Sequence, residues 1–583
     1  MAEALRTFSL LPLLTTLHLV LFFTFSSAAA TVNSPLQPAA ALSAFQVDPG
    51  LKLELLAAEP LVVDPVAMCF DEKGRLFVAE NRDYPTGPEP GQERAGTIAL
   101  LEDTDGDGRF DKRTEFVSHL SFPNGVLPWD GGLIVTCAPE VLYFKDTDGD
   151  GRADVKRVLF TGFNTEGSTQ LRVSHPTLGP DGWVYLTSGF SRGNKVICPE
   201  HPERPGLEFR TDCRFDPRTL EIIPEESRAQ FGLTFDDFGH RFICYNRVHI
   251  QHVVFPGPYL KRNPNLAFSK TVQDVPENRV RDWLVNDEGF AARVYPISET
   301  ITTYESHSGT FTAACGVHVY AGDGLPHEYY GNVFACEPTG NLVHREELVP
   351  RGATFGSHMV AEGREFLASP DTWFRPVFLT EGPDGALCIC DMYRKTIEHP
   401  DYLPPETRKH TDFSSGKGMG RIWRVTRADS ATNRHQNDFS HAENELLVKN
   451  LASSNGWHRV TAQRLLLERN ARSAAPALKQ LLTDTKAIPA GRFLALWLLN
   501  RFDALDPQNL LSAFHDPVPG LREAAIRLSE HRTTESSKLF DAMLKTSGDP
   551  DPRVRFQSAL SFGEAALSSN GLTALEVIAM RDS

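Results

Sequence analysis

Two short acidic segments carry the clearest chemistry in this chain. Asp103-Thr-Asp-Gly-Asp-Gly-Arg-Phe-Asp111 recurs almost unchanged as Asp146-Thr-Asp-Gly-Asp-Gly-Arg-Ala-Asp154. Asp103, Asp105, Asp107 and Asp111, and again Asp146, Asp148, Asp150 and Asp154, occupy alternate early positions and the ninth. Carboxylates so spaced, with a glycine at the sixth position for the sharp turn, can wrap a hard cation in oxygen ligands, and calcium fits best. The twelfth position, Thr114 or Arg157, lacks the bidentate acid of a helix-loop-helix site, and no helical pattern flanks either loop. The expectation is therefore a pair of calcium-binding hairpin loops. The competing reading is two solvated acidic turns.

The elements that must carry these loops are short strands. From residue 45 to about 425, apolar or aromatic runs alternate with Gly, Pro, Asp and Asn turns. One unit recurs, an acidic or glycine-bearing turn followed by an alternating strand. It occurs at Phe70–Val78, Leu178–Tyr185, Phe235–Ile243 and Gly382–Ile389, and more weakly at Trp129–Val135 and Tyr330–Phe334. Most copies lie roughly 50 residues apart, the size of one four-stranded blade. A longer gap leaves room for an insertion near 257–310. The pattern predicts an all-β six-bladed β-propeller; a β-sandwich with coincidental turns is the alternative.

After a linker at 426–440 the character changes. Residues 441–583 are Leu- and Ala-rich and read as helical. An Arg followed by a small residue three places on recurs at Arg459/Ala462, Arg492/Ala495, Arg522/Ala525 and Arg555/Ser558. A repeat of roughly 30 residues with close-packed small side chains predicts stacked helical pairs, a HEAT-like solenoid. The last copy stops at Ser583 without a polar cap, as in a truncated array or a short family member.

The whole chain has 583 residues, 59 basic and 75 acidic, for a net charge of −16. That balance argues against nucleic acid as a partner, since phosphate binding needs a basic surface. Residues 1–30 read as a signal peptide, with Arg6 before an apolar Phe8–Phe25 run and small residues at Ser27–Ala30. The expected location is periplasmic or secreted, with a membrane anchor if that segment is not cleaved. The cysteines number 9 and are scattered, which is no disulfide framework. Cys198 and Cys213 flank a Pro-rich loop, and export would permit a bridge between them. No Cys-x-x-Cys-His is present, so this chain cannot attach haem c by the usual motif.

Several blocks together support a family. Asp64-Pro-Val-Ala-Met-Cys-Phe70, Val78-Ala-Glu-Asn-Arg-Asp-Tyr-Pro85, Phe122-Pro-Asn-Gly-Val-Leu-Pro128 and Cys336-Glu-Pro-Thr-Gly-Asn-Leu-Val-His-Arg345 occur in order. Trp373-Phe-Arg-Pro376, Asp391-Met-Tyr-Arg394 and Ile397-Glu-His-Pro400 follow. Over about 50–425 the chain resembles the bacterial membrane-bound dehydrogenase domain family. The resemblance implies a propeller similar to soluble glucose and sorbosone dehydrogenases, in which pyrroloquinoline quinone sits at the propeller mouth with calcium beside it. It also implies a catalytic His upstream of the Gly-Pro-Asp-Gly turn. The matching position here is Leu171, and His175 stands four residues on. Longer members carry a haem c domain, which has no counterpart here.

Oxidising a hydroxyl with a quinone needs a base for the proton and cations to polarise the quinone carbonyls. His175, His252, Arg172, Arg345 and Arg394 are the catalytic candidates, with His318 a further base. Arg82, Asp83, Glu337, His344 and Asp391 are the candidates for holding the cofactor. Each follows a predicted strand, where blade loops gather at one mouth. Taken singly, each is as readily a structural hydrogen-bonder. Three functions stay open. One is a quinone-dependent sugar or alcohol dehydrogenase passing electrons to a separate cytochrome or other carrier. Another is a non-catalytic carbohydrate- or protein-binding propeller with a solenoid for partner contacts. The third is a calcium-dependent polysaccharide hydrolase or lyase.

Overall fold

A computed structural model describes residues 34–582, apart from 192, 263–264, 266–269, 278, 282–289, 300–308, 431–437, 533–535 and 564–568. The predicted signal peptide, part of the linker and much of the predicted insertion lie outside the described residues. Strands from Leu51 to Arg427 form six radially arranged antiparallel blade sheets, a six-bladed β-propeller, besides two small two-stranded sheets. The innermost strands are Pro65–Phe70, Gly125–Trp129, Ser174–Leu178, Leu233–Phe235, Cys315–Val319 and Pro376–Glu381. Each packs on the next and the last packs on the first. The ring is closed by the N-terminal strand Leu51–Ala58, which pairs with Arg421–Arg427 in the last blade. Closure leaves no long free edge between first and last blades.

The repeated turn has a local cause. Asp71 accepts from the backbone N–H groups of Lys73 and Arg75, at 3.0 and 2.9 Å. Asp236 does the same for Phe238 and His240, at 3.0 and 2.9 Å. Asp181 takes Trp183 N–H and Asp384 takes Ala386 N–H. The glycine that ends each turn, Gly74, Gly182, Gly239 or Gly385, has φ between 72° and 78°. An aspartate that clamps its own turn and a glycine that tolerates the left-handed region reverse the chain into the second strand. All these turns lie at one end of the propeller, the turn end. The loops that precede the innermost strands and follow the second strands lie at the other, the mouth.

Beyond Asn444 the described chain is helical, and several helices start on proline after an N-cap, as Pro507 after Asp506 and Pro552 after Asp551. The small residues of the repeat, Ala462, Ala495, Ala525 and Ser558, are fully buried. The repeat arginines brace the turns. Arg522 donates to the carbonyls of Asp516 and Pro517 and pairs with Asp549. Arg555 repeats this with Asp549, Pro550 and Asp582. Arg522 and Arg555 thus each tie the start of their own helix to an aspartate 27 residues on.

This helical region sits on the turn end of the propeller. Arg459 pairs with Asp237 at 2.9 Å and Arg464 with Glu72 at 2.9 Å. Gln463 donates to the carbonyls of Gly179 and Pro180 at 3.1 and 3.0 Å. Arg501 reaches Asp216 and Tyr259 reaches Glu530. Gly520 approaches the Phe238 ring so closely that a Cβ there would lie 2.4 Å from it. Side chains of both regions join one apolar cluster.

All 9 cysteines are buried and unbridged, Cys198 and Cys213 included. Among the described residues no helix is long and apolar enough to cross a membrane.

Candidate functional site

The mouth gathers backbone turns from several blades around buried polar side chains. Arg394 is fully buried and pairs with Asp64 at 2.6 Å. Arg375 donates to the carbonyls of Arg394, at 3.0 Å, Pro338, at 2.5 Å, and Lys395. Burial lowers its pKa to about 10. Gln170 donates to the Tyr84 hydroxyl at 2.6 Å, and Asn124 donates to Thr169 O at 3.2 Å. Blades one, two, three, five and six are thus stitched together at this end.

Arg172 is buried against the Phe122 ring at 4.8 Å and donates to Thr165 O at 3.0 Å. Its Nε has no hydrogen-bond partner. Arg228, exposed, donates to Phe190 O and Ser191 O. Lys395 lies 4.3 Å from the Trp373 ring centre and donates to Thr372. Arg82 differs, for Glu80 holds it at 2.6 Å and Arg113 at 2.6 Å. Asp391 accepts from Arg375 N–H, Tyr393 N–H and Trp423 Nε1, and burial raises its carboxyl to about 7. Glu337 clamps the Thr312 and Ala313 N–H groups and is likewise raised to about 7 by burial. Asp83 accepts from Ala95 N–H. The three acids therefore shape mouth loops.

Below the mouth an axial cavity of about 270 Å³ runs between the innermost strands, floored by Trp457, Arg459 and Gln463. His175 lines it at a pairing irregularity of its strand, with φ 51°. Its ring meets Phe231 at 4.4 Å and Phe378 at 5.0 Å, Nδ1 lies 3.2 Å from Ser174 Oγ, and Nε2 has no partner. Burial drives its pKa down to about 3, so the ring is neutral at ordinary pH and a weak base. His318, in the same cavity, lies 3.3 Å from Glu381.

Three sequence candidates lie elsewhere. His252 stands on the third strand of its blade, packed on Phe355 and Phe242 with Nδ1 on Thr354. Arg345 stacks on Tyr329 at 3.7 Å and pairs with Asp48. His344 lies inside a blade between Glu346 and Glu365. The placement of these three corrects the expectation of one shared mouth. An alternating pattern marks a strand but not its radial position, and only the innermost strands reach the axis.

The acidic loops join third to fourth strands at the turn end, where Leu101 is level with Leu76. Asp103, Asp105 and Asp107 bring carboxylate oxygens within 4.8 Å of one another, as do Asp146, Asp148 and Asp154. Asp111 instead turns both oxygens to Thr104, and Asp150 accepts from Arg152 N–H. These loops are remote from the mouth, so a cation bound there would not touch a mouth ligand.

Residues 37–429 match the profile of a domain of unknown function, DUF7133. The chain belongs to the DUF7133 family. The DUF7133 match ends just past the closing strand Arg421–Arg427, so the helical region lies beyond it. No relative was found among curated proteins. Solved structures similar to the DUF7133 propeller include the pyranose dehydrogenase PQQ domain from Coprinopsis cinerea, at 12% identity and TM-score 0.35, covering 66% of this chain and 97% of that one. The PQQ-bound aldose sugar dehydrogenase from Streptomyces coelicolor has 12% identity and TM-score 0.32, covering 65% and 100%. The Trichoderma reesei Carbohydrate-Active Enzymes Family AA12 structure has 11% identity and TM-score 0.38, covering 66% and 98%.

Within the DUF7133 mouth, sequence reasoning passed over Gln170, Arg228, Arg375 and Lys395. Arg375 and Lys395 lie in or beside quoted sequence blocks. The usable signal was topological: Arg172, Arg228 and Arg375 each fall shortly before an innermost strand.

Proposed function

We propose that this chain is an exported propeller dehydrogenase that holds pyrroloquinoline quinone at its mouth and oxidises a sugar or alcohol hydroxyl. The observation that carries the reading is a set of mouth cations with no carboxylate in direct contact with their side chains, although Glu337, Asp371 and Asp391 act on Arg375 from farther off. Among the described residues no carboxylate forms an ion pair with Arg172, Arg228, Arg375 or Lys395, and the side-chain hydrogen bonds described above for them go to neutral oxygens. Such charge on a protein of net −16 fits a flat anionic ligand. When bound, the quinone supplies an acceptor for two electrons from the substrate carbon. Arg172, Arg228 and Lys395 would bind its carboxylates, while Arg375, tied to three loop carbonyls, holds the mouth loops in place. Electrons would then pass to a separate cytochrome or similar carrier.

The non-catalytic binding propeller is favoured by one observation: Leu171 stands where the resemblance places the base, and His175 is a weak base in an apolar setting. Titrating the quinone against tryptophan fluorescence, followed by a dye-linked sugar oxidation assay, separates the two readings. Binding with turnover is expected, and Arg172→Ala and Lys395→Ala should each weaken binding roughly tenfold, about 1.4 kcal/mol. Binding without turnover supports the second reading; no quinone binding removes the first.

We also infer that calcium binds the two acidic loops. Three gathered carboxylates in each supply hard oxygen donors. Calcium at 100 times its Kd should add about 2.7 kcal/mol of stability per site. Asp105→Ala and Asp148→Ala should each reduce the rise in Tm between chelator and millimolar calcium. Identical melting curves in chelator and in calcium would remove the idea.

A further inference from the structure

We propose that His249, His344 and Glu346 form a binding site for one first-row divalent transition-metal ion, zinc foremost, that staples the fourth blade to the fifth. His249 lies on Val248–Val253, the third strand of blade four. His344 and Glu346 lie two apart on Leu342–Arg351 of blade five, so both project from one face. Glu346 Oε1 stands 3.4 Å from His249 Nε2 and 3.2 Å from His344 Nε2. One donor atom from each residue falls within 4.8 Å of the others, and all three residues are buried.

His249 supplies an independent observation. Its side chain is 1% exposed, Nδ1 has no hydrogen-bond partner, and Nε2 makes only the long, poorly aligned 3.4 Å approach to Glu346 Oε1. A buried imidazole so placed loses its hydration with little compensation, and a cation at the shared point would give its Nε2 a full partner. Its orientation is set by stacking on Phe311, 4.3 Å between centres and 10° between planes.

The surroundings are those of a supported ligand set. Glu365 Oε2 lies 2.7 Å from His344 Nδ1, which directs the Nε2 lone pair inward. The other Glu365 oxygen accepts from Tyr295 N–H at 2.8 Å. Ser357 Oγ donates to Glu346 Oε2, which leaves Oε1 facing the imidazoles. Glu346 and Glu365 together balance a divalent charge, with both histidines neutral. Two imidazoles and one carboxylate suit zinc or its neighbours, whereas calcium needs six or more oxygens. Among the described residues, this group involves neither the mouth nor the acidic loops.

The test uses the full-length chain, stripped with chelator, kept in millimolar calcium to fill the acidic loops, and titrated with cobalt(II) alone. One equivalent is expected, with visible d–d bands of a low-coordinate site, displaced by one equivalent of zinc. His249→Ala and Glu346→Gln should abolish the bands. Glu365→Gln should weaken affinity roughly 10- to 100-fold. A reconstituted wild-type protein with no cobalt spectrum, or a His249→Ala variant that keeps the bands, would overturn the proposal. If those variants fail to fold, X-ray absorption of the zinc-loaded wild type decides. Imidazole scattering with no sulfur supports the site, and sulfur scattering from the buried cysteines overturns it.

Discussion

Replacing Arg464 with alanine is expected to cost about 3–5 kcal/mol and to loosen the helical region from the propeller. The guanidinium is 4% exposed, between Glu72 of the first-blade turn at 2.9 Å and Glu468 of its own helix at 2.7 Å. Burial raises the Glu468 carboxyl, and the arginine opposes that rise. Without Arg464 the two acids lose the cation that lies between them, and a buried charge left unpaired is more costly than the intact pair is favourable. Urea denaturation followed by circular dichroism should show a lower midpoint. After a protease nick in 426–440 the helical fragment should stay bound to the wild-type propeller and separate from the variant. An unchanged midpoint, with the fragment retained in both, would show that Arg464 does not hold the interface.

A second large effect is expected from pH. His240 ends the fourth-blade turn and lies 2.6 Å from Asp236 and 3.3 Å from Glu523 of the helical region. Burial acts to lower its pKa, but the two carboxylates outweigh burial and hold it at about 10. The folded state therefore binds this proton more tightly than the unfolded chain, whose histidine titrates near 6.5. The stabilisation is complete below about pH 6.5 and is lost as pH rises toward about 10, an effect on the order of a few kcal/mol. Tm should fall across that window in the wild type and less steeply in His240→Asn. Parallel curves for the two proteins would remove His240 from the account.

The sequence by itself determined the propeller, because the signals that build it are local. An aspartate two to four residues from the N–H groups it clamps, followed by a glycine in the left-handed region, is visible in any copy, as Asp71 with Gly74 or Asp236 with Gly239. The helical character of the C-terminal region was visible for a similar reason, since Arg522 and Arg555 each reach back to carbonyls in the turn just before their own helix. Tertiary structure alone decided where these pieces meet. Glu72, one partner of Arg464, and Glu523, one partner of His240, lie hundreds of residues away and come within reach only once the ring has closed and the helices cover its turn end. The same holds for the site candidates. Alternation assigns His175, His252 and His344 to strands, yet it cannot say which strand is innermost or which face meets the next blade. Radial position put His175 on the axis, His252 on an outer strand and His344 opposite His249, because blade order and sheet stacking are set by ring closure rather than by neighbours in the chain.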